Sequence, residues 1–553
     1  MSIFTRSCLG YPIFPSFAAL VLAAMFVRAF PDLRSYSCCF LFCSCAFLFN
    51  FAFLKISANR VRILNRMLGG FCFFCICVFW FFLRISPNPR PDFPPSEISY
   101  TAEICEISKS QNGNLYGVLK VVKSDYKFLE NQKVWFTFAN FKRGEKQKMP
   151  TLARGDEIWV SGITRSVVAD SPTSWGYQKD PESEKSFNKY LSSRFIYFKT
   201  LARPNDIVLI STSTVGSVRL AETVASWIKE KLSVFAFSFK SDSTNASTLR
   251  AMILGDKSSL TSEQKQTFKN TGTMHIFAVS GLHVGIVAFS FYLLCMLFSV
   301  PLFWRASALP VLFLYVWACG LPPSAVRAFF MIAVFWLTFT FSRGSKPINA
   351  LMLSAIISTA IFPEAIYSAG FQLSYCVVGA LVLFSSGVFT QLQMRFDIYF
   401  ADTKLFVLKH WLFKTFVGGL CVSIGASIIA MPISAYWFGA FSISGIIFSP
   451  WFVLLASVAV VLAMFSIAMP IGVSSIVNVG AVSCVWLMQS TAELVSEFFP
   501  MLWKVNIGNG YFCVVIVSAI FLMFILCEKL NVWLRFCTIT VSVFSVMFLI
   551  WIF

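Results

Sequence analysis

The fold of this chain is decided by the stretch Gly272-Thr-Met-His-Ile-Phe-Ala-Val-Ser-Gly-Leu-His-Val-Gly285. The protein has 3 histidines in 553 residues, and two of them, His275 and His283, lie in this stretch. They flank Ser280 and Gly281 at the beginning of a long apolar run. Titratable groups at membrane depth are costly and usually mark a pathway or a site. The stretch therefore predicts a polar site where a membrane helix begins.

The composition is that of a polytopic membrane protein. The chain is 57% hydrophobic and 13% charged, with a mean hydropathy of +0.72. These values exclude a soluble enzyme, because a spanning helix needs about 20 apolar residues and many such runs are present. The net charge is +19. The ordinary excess of basic residues in cytoplasmic loops accounts for part of that charge, so it is weak evidence for nucleic acid by itself. The apolar N-terminal run lacks a small-residue cleavage site, which predicts a retained helix.

The charge pattern of the first three apolar stretches predicts the orientation. These stretches lie near Tyr11–Val27, Tyr36–Leu54 and Leu68–Leu83. The connection between the second and third is the most basic, because it contains Lys55, Arg60, Arg62 and Arg66. The more basic loop is expected in the cytoplasm. The N-terminus is then inside, and the chain after the third span emerges on the outer face.

A soluble β domain is predicted after this third span. Pro87 to Pro95 form a rigid linker,. Beyond it, apolar alternation and β-branched residues predict four strands, Ser99–Ile107, Leu115–Lys123, Lys133–Phe138 and Glu157–Ser161,. Asn112-Gly113 between the first two is a hairpin signal,.

The rest of the chain returns to helical patterns. Residues 206–270 predict amphipathic or interfacial helices,. About ten apolar segments of roughly 20 residues each follow His275, with breaks expected near several prolines, Pro432 and Pro450 among them,. The predicted fold is a polytopic α-helical membrane protein with a small inserted all-β extramembrane domain. The predicted domains are N-terminal spans (1–85), the β domain (86–205), interfacial helices (206–270), a transmembrane channel domain (271–495) and C-terminal spans (496–553).

Three ordered motifs resemble the ComEC family of competence proteins. The first is Gly255-Asp256, Thr271-Gly272 and then His275-x-x-Ala-x-Ser280-Gly281-x-His283-Val284. The second is Gly320-Leu-Pro-Pro-Ser324-Ala-Val-Arg327-Ala-Phe-Phe-Met331, and the third is Gly370-Phe-Gln372-Leu-Ser374-Tyr375. The resemblance covers about residues 1–490. One position departs from it, since Gly445 precedes Pro450 where the family often has asparagine.

The resemblance implies an inner-membrane channel that imports single-stranded DNA during natural transformation. It implies that the outward β domain is OB-like and that the protein is not an enzyme. No histidine follows His410, so we expect the form without the family's C-terminal metallo-β-lactamase-like nuclease domain. The implied partners are single-stranded DNA, membrane lipid, a DNA receptor on the outer face, a separate nuclease and a cytoplasmic DNA-translocating ATPase. No phosphate-binding loop of the Gly-x-x-x-x-Gly-Lys type is present in the sequence,.

The channel residues allow two interpretations each. The predicted pathway residues are His275, Ser280, Gly281, His283, Ser324, Arg327 and Gln372. The histidines either contact phosphates, bases or protons in a pathway, or bond to backbone carbonyls in a packing hinge. The arginine is either a fixed charge facing a polar channel or a side chain reaching the interface. Ser324 alternatively caps a helix, and Gln372 and Ser374 alternatively hydrogen-bond between helices.

The β domain carries a candidate DNA-binding set of aromatic and basic residues. These are Trp135, Phe138, Lys142, Arg143, Lys146 and Lys148. Barrels that bind single strands combine stacking aromatics with a basic groove. The alternative is an apolar core face followed by a solvated loop, since alternation places Trp135 and Phe136 on opposite faces.

Metal and cofactor sites are not expected. Two histidines with Asp256 do not complete a zinc ligand set,. Two other classes of function remain as alternatives: a membrane-embedded enzyme with Ser280 as nucleophile and a histidine as base, and a proton-coupled solute transporter. The enzyme hypothesis lacks an acidic residue in the motif to orient the imidazole.

Overall fold

The computed structural model describes residues 14–29, 73–84, 93–109, 113–139, 150, 152–167, 181–212, 216–233, 243–255, 260–277, 279–297, 308–341, 347–382, 406–499, 502–505 and 516–517. The chain divides into two compact units. The first comprises Met1–Ile107, Tyr116–Thr212 and Phe330–Phe371. The second comprises Ser108–Leu115, Ser213–Phe329 and Gln372–Phe553.

The first unit contains a small five-stranded barrel. Its strands are β1 (Ser96–Lys109), β2 (Leu115–Ser124), β3 (Lys133–Phe138), β4 (Glu157–Ser166) and β5 (Phe198–Ala202). The order is β1-β2-β3-β5-β4, and pairing of β1 with β4 closes the barrel. β3 and β5 run parallel, whereas β1 and β4 run antiparallel. A sixth strand, β6 (Ile207–Ser211), pairs with the outer side of β4.

The four predicted strands are confirmed, with longer ends for β1 and β4. β1 extends at both ends because it pairs with β4 from Ser96 opposite Thr164 onward. β3 has the predicted bounds, and alternate residues along it are buried. Gly113, between β1 and β2, has a φ of +82°, as a tight hairpin turn requires,. β5 and β6 were not predicted, because neither has the alternation of buried and exposed residues that marks the other strands.

Four of the described helices lie within the first unit. These are α1 (Phe14–Ala29), α2 (Phe73–Arg84), α3 (Pro181–Ser193) and α10 (Pro347–Ile361). A 3₁₀ turn, Pro363–Tyr367, follows α10 and contacts both helix and barrel residues. The hydroxyl of Tyr367 donates to the carbonyl of Ala24 at 2.7 Å, and its ring packs edge-on against Phe195. Glu364 of the same turn pairs with Lys133 of β3 at 2.8 Å.

The second unit is helical. Its shorter helices are α4 (Gly216–Lys231), α5 (Ser243–Leu254), α6 (Ser262–Asn270), α7 (Gly281–Leu297) and α8 (Ala308–Ala318), while α9 (Pro323–Phe341) and α11 (Ala369–Ala380) each begin in one unit and end in the other. The long helices are α12 (Phe406–Phe438), α13 (Ser444–Ala468) and α14 (Ile471–Phe498). A short ribbon joins β7 (Ala440–Ser442) to β8 (Leu502–Lys504).

Three described helices are long and apolar enough to cross a membrane. They are Val417–Phe438 within α12, then α13 and α14. Breaks predicted at Pro432 and Pro450 are wrong, because both prolines lie inside continuous helices. Neighbouring helices and local adjustment satisfy the backbone groups that a proline frees, so proline is tolerated in such helices. The second predicted span lies outside the described residues, and so do the predicted C-terminal spans apart from residues 496–499, 502–505 and 516–517.

A buried polar cluster joins α4 to the turn between α13 and α14. Asn478 donates to the carbonyl of Lys231 at 2.9 Å and accepts from Ser466 at 2.7 Å. The ammonium of Lys231 donates to the carbonyl of Met469 at 3.1 Å. These bonds hold the C-terminal end of α4 beside the end of α13.

Candidate functional site

The histidine stretch is a broken helix. A Thr261–Gln264 capping box starts α6, which ends at Asn270. Gly272 follows with a φ of +71°, and a 3₁₀ turn occupies Met274–Phe277. α7 begins at Gly281. The two histidines therefore lie on separate elements and do not share a face of one continuous helix.

The two imidazoles have different environments. His275 is exposed, and its Nδ1 lies 3.1 Å from the carbonyl of Gly272. A carbonyl only accepts, so Nδ1 of His275 carries the proton in that bond. His283 is fully buried, and its Nδ1 lies 3.0 Å from the hydroxyl of Ser280. Ser280 precedes α7 and His283 lies in its first turn, so the pair closes the helix terminus in the manner of a capping box.

Val279 is the point where separate motifs meet. A Cβ built on Gly255 would stand 2.8 Å from a Val279 methyl group, so the Gly255 backbone packs directly on this residue. The hydroxyl of Ser324 donates to the Val279 carbonyl at 2.6 Å. Ser324 lies inside the first turn of α9. Its hydroxyl therefore joins two motifs and does not serve as a helix cap.

The start of α9 also packs against α7. A Cβ on Gly281 would lie 3.7 Å from the Cβ of Ala328. The neighbouring Arg327 is only 5% exposed. Its Nε and Nη2 both donate to the hydroxyl of Ser374 in α11, at 3.2 and 3.1 Å. The guanidinium is therefore held inside the protein and does not extend along the surface from a helix end.

Gln372, two residues before Ser374 in α11, forms a hydrogen bond to another helix. Its Oε1 accepts from the indole N–H of Trp437 in α12 at 2.9 Å. This is the second of the two roles expected for Gln372, and the bond does not exclude the first. Trp437 was missed by the sequence analysis. No local pattern could have found it, because 65 residues separate the partners.

The charge of the groups around Arg327 favours the binding of an anion. Among the described residues, no carboxylate forms an ion pair with Arg327, and no three His, Cys, Asp or Glu side chains come together as a metal site. A buried guanidinium with one neutral partner keeps unused donor capacity and an uncompensated charge. Asp256 lies outside the described residues.

The barrel residues proposed to contact DNA separate into three groups. Phe138 is fully buried and packs on Phe136 at 4.3 Å, so its ring is a core group and cannot stack on a base. Trp135 is half-buried, with its ring against Tyr116 and Phe187. The four basic residues lie outside the described residues: Lys142, Arg143, Lys146 and Lys148.

The structure adds an aromatic–basic pair that sequence reasoning missed. Tyr190 is 39% exposed, and the guanidinium of Arg194 lies 5.7 Å from its ring centroid. Arg194 also forms hydrogen bonds to both carboxylate oxygens of Glu106. The two residues lie one turn apart at the end of α3, which is the only sequence signal for the pair,.

Comparisons with known proteins identify the family of the chain. A family model described as Competence protein matches residues 252–531, just over half of the chain. The ComE operon protein 3 of Bacillus subtilis (strain 168) is 31% identical over 198 residues, which is 35% of this chain and 23% of that protein. An uncharacterized protein of Aquifex aeolicus (strain VF5) is 29% identical over 195 residues, 34% of this chain and 45% of the relative. No solved structure matches. The chain belongs to the Competence protein family.

Proposed function

We propose that this protein is a multi-pass channel of the bacterial cytoplasmic (inner) membrane that passes single-stranded DNA into the cytoplasm during natural transformation. It acts as a channel and not as an enzyme. The relatives are aligned over less than half of their length, so the proposal rests on this chain's own site together with its family.

One observation carries the proposal: the separated motifs converge on a buried arginine that has no carboxylate partner among the described residues. Val279 contacts Gly255 and Ser324, and the helix that begins beside it packs at Gly281 against α9. α9 then presents Arg327 to Ser374. A polyanion crossing the hydrocarbon region needs a polar path of positive potential without tight sites. One fixed guanidinium with a neutral hydroxyl partner fits that need.

The barrel supports the assignment of an OB-like receiving domain. Five strands in the order 1-2-3-5-4, closed by pairing of the first and fourth, are compatible with the small Greek-key barrels that bind oligonucleotides,. Position in the chain and the preceding basic loop put this domain on the outer face. A strand would meet the barrel before the helical site. A receptor, a nuclease for the opposite strand and a cytoplasmic ATPase would be separate proteins.

Uptake of labelled DNA by a deletion strain tests the proposal. The strain is complemented with the wild type, Arg327→Ala or Leu337→Ala, which changes a 43% exposed residue of the same helix. Surface-bound DNA is removed with nuclease, and the protected label and transformants are counted. We expect Arg327→Ala to lower both by about a hundredfold, equivalent to about 2.7 kcal/mol of lost barrier stabilisation. Wild-type uptake in the deletion strain, or in Arg327→Ala at normal abundance, contradicts the proposal.

A membrane enzyme is the second candidate, because the Ser280 hydroxyl and His283 Nδ1 are within hydrogen-bond distance,. Against it, no described side chain orients the other imidazole nitrogen. A fluorophosphonate probe separates the two. Covalent labelling of the wild type that disappears in Ser280→Ala favours the enzyme, and absence of labelling in active protein favours the channel.

A further inference from the structure

Two donors of Ser280 converge on one nitrogen of His283. The hydroxyl lies 3.0 Å and the backbone amide 3.4 Å from Nδ1. A backbone N–H can only donate, so Nδ1 must accept. In a neutral imidazole whose Nδ1 accepts, the proton sits on Nε2. The Ser280 backbone and side chain thus select one tautomer of His283.

The other nitrogen of the ring is buried and unsatisfied. His283 is 0% exposed, and its Nε2 has no hydrogen-bond partner among the residues that the structure describes. Burial of an unpaired donor is destabilising, and native proteins retain few such groups without a reason. The ring that Ser280 orients therefore holds an N–H donor ready for an acceptor that none of the described residues supplies.

The surroundings identify the class of acceptor. The helix start that contains His283 packs at Gly281 against Ala328, the residue that follows the buried Arg327. Neither ring nitrogen of His283 bonds to a described carboxylate. Phosphate and base oxygens are the acceptors of a DNA strand. A neutral donor binds them more weakly than a cation does, and weak contacts allow a strand to move on.

We propose that His283 acts on the transported strand as an uncharged hydrogen-bond donor through Nε2–H, and that Ser280 is the positioning residue that fixes this tautomer. The inference deepens the proposed channel function and rests on it.

Two substitutions at position 283 distinguish the contribution of Nε2 from that of Nδ1. The amide nitrogen of His283→Gln lies near the Nε2 position, whereas His283→Asn reaches only as far as Nδ1. We expect His283→Gln to keep uptake within about tenfold of the wild type, a loss of about 1.4 kcal/mol, and His283→Asn to be as defective as His283→Ala. Activity in the asparagine but not the glutamine variant would assign the histidine to helix capping. Loss of uptake in both variants, at normal protein abundance, would show that the imidazole acts in its protonated, charged form. Either result overturns the proposal.

A double-mutant cycle tests Ser280. We expect Ser280→Ala to lower uptake in the wild type but to have no further effect in His283→Gln, because an amide has no tautomer to select. If Ser280 has only a local structural role, Ser280→Ala should lower uptake by the same factor in the wild type and in His283→Gln. That outcome would contradict the positioning role.

Nitrogen NMR tests the tautomer without any transport assay. Because the chain has 3 histidines, ¹⁵N-histidine labelling gives few signals, which His275→Gln and His410→Gln assign. We expect a protonated Nε2 and an unprotonated Nδ1 for His283, and a shift of the Nε2 signal when an oligothymidylate is added to the detergent-solubilised protein. Protonated Nδ1 overturns the inference even if uptake depends on the protein. The expected tautomer with no response to oligothymidylate overturns the strand contact.

Discussion

Gly445, at the start of α13, lies directly against the backbone of Gly272 in the histidine stretch. A Cβ on Gly445 would stand 3.7 Å from the Gly272 Cα and 3.3 Å from the carbonyl oxygen of Thr271. A Cβ on Gly272 would stand 2.8 Å from the Cβ of Ser442. The hydroxyl of Ser442 donates to the carbonyl of Asn270 at 3.0 Å. The junction of β7 and α13 therefore holds the turn that leads into the site.

This contact predicts that Gly272→Ala destabilises the site. The substitution places a side chain at a φ of +71° and against Ser442. We expect a left-handed penalty of about 1–2 kcal/mol plus about 1–3 kcal/mol for the overlap. Gly320→Ala is the matched control, because Gly320 has a φ of +82° with nothing within 4 Å of its Cβ position. Hydrogen exchange of the 262–277 peptides measures the difference. Equal effects of the two substitutions would show that Ser442 moves aside and that the overlap with the new Cβ at position 272 has no cost.

Much of the barrel and the local form of the site were predictable. The strand pattern follows from alternating burial, as in Lys133–Phe138, and a helix begins at Gly281, where the sequence predicts the start of a membrane helix. What sequence could not provide is pairing across long separations. The bonds of Gln372 to Trp437 and of Ser442 to Asn270 join segments 65 and 172 residues apart. The departure at Gly445 was visible in sequence, but only the packing on Gly272 gives it a physical reason.

The bond between Arg327 and Ser374 predicts a graded response to substitution. Arg327→Lys keeps the charge but loses the planar group that donates twice to one hydroxyl,. We expect uptake in Arg327→Lys to lie between the wild type and Arg327→Ala. Ser374→Ala removes a charge-assisted partner worth about 1.5–3 kcal/mol and leaves the cation less fixed. It should lower uptake without lowering abundance, and wild-type uptake in Ser374→Ala would mean that this contact does not matter for transport.

The basic loop predicts the side of the membrane on which the barrel lies. Alkaline phosphatase fused after Gly162 should be active, because residues 86 to about 270 are expected outside the cytoplasm. A fusion in the basic loop, after Arg66, should be inactive. Replacing Lys55, Arg60 and Arg62 by glutamine should lower the activity of the Gly162 fusion, since the charge bias sets the orientation. If the phosphatase fusion at Gly162 is inactive and a green fluorescent protein fusion at the same position fluoresces, the barrel lies in the cytoplasm and the predicted topology is wrong.

The ion pair of Arg194 with Glu106 predicts acid sensitivity of the barrel. Burial disfavours ionisation of Glu106, but the hydrogen bonds and charge of Arg194 outweigh it and hold the pKa of that carboxyl below its usual value. A lowered pKa in the folded state contributes stability that is present above the unfolded pKa of about 4.3 and is lost as the pH falls through the folded value.

The Glu106 side chain is 45% exposed, so solvent screening limits the effect to about 1 kcal/mol or less. Hydrogen exchange of the β1 peptides, corrected for the intrinsic rate at each pH, should show opening that becomes easier as the pH falls below about 5 in the wild type. Glu106→Gln should be less stable than the wild type at neutral pH and should lose part of this pH dependence. Glu103→Gln, on the same strand and exposed, is the control that should behave as the wild type. If Glu106→Gln keeps the whole acid response, other carboxylates cause it and the ion pair does not.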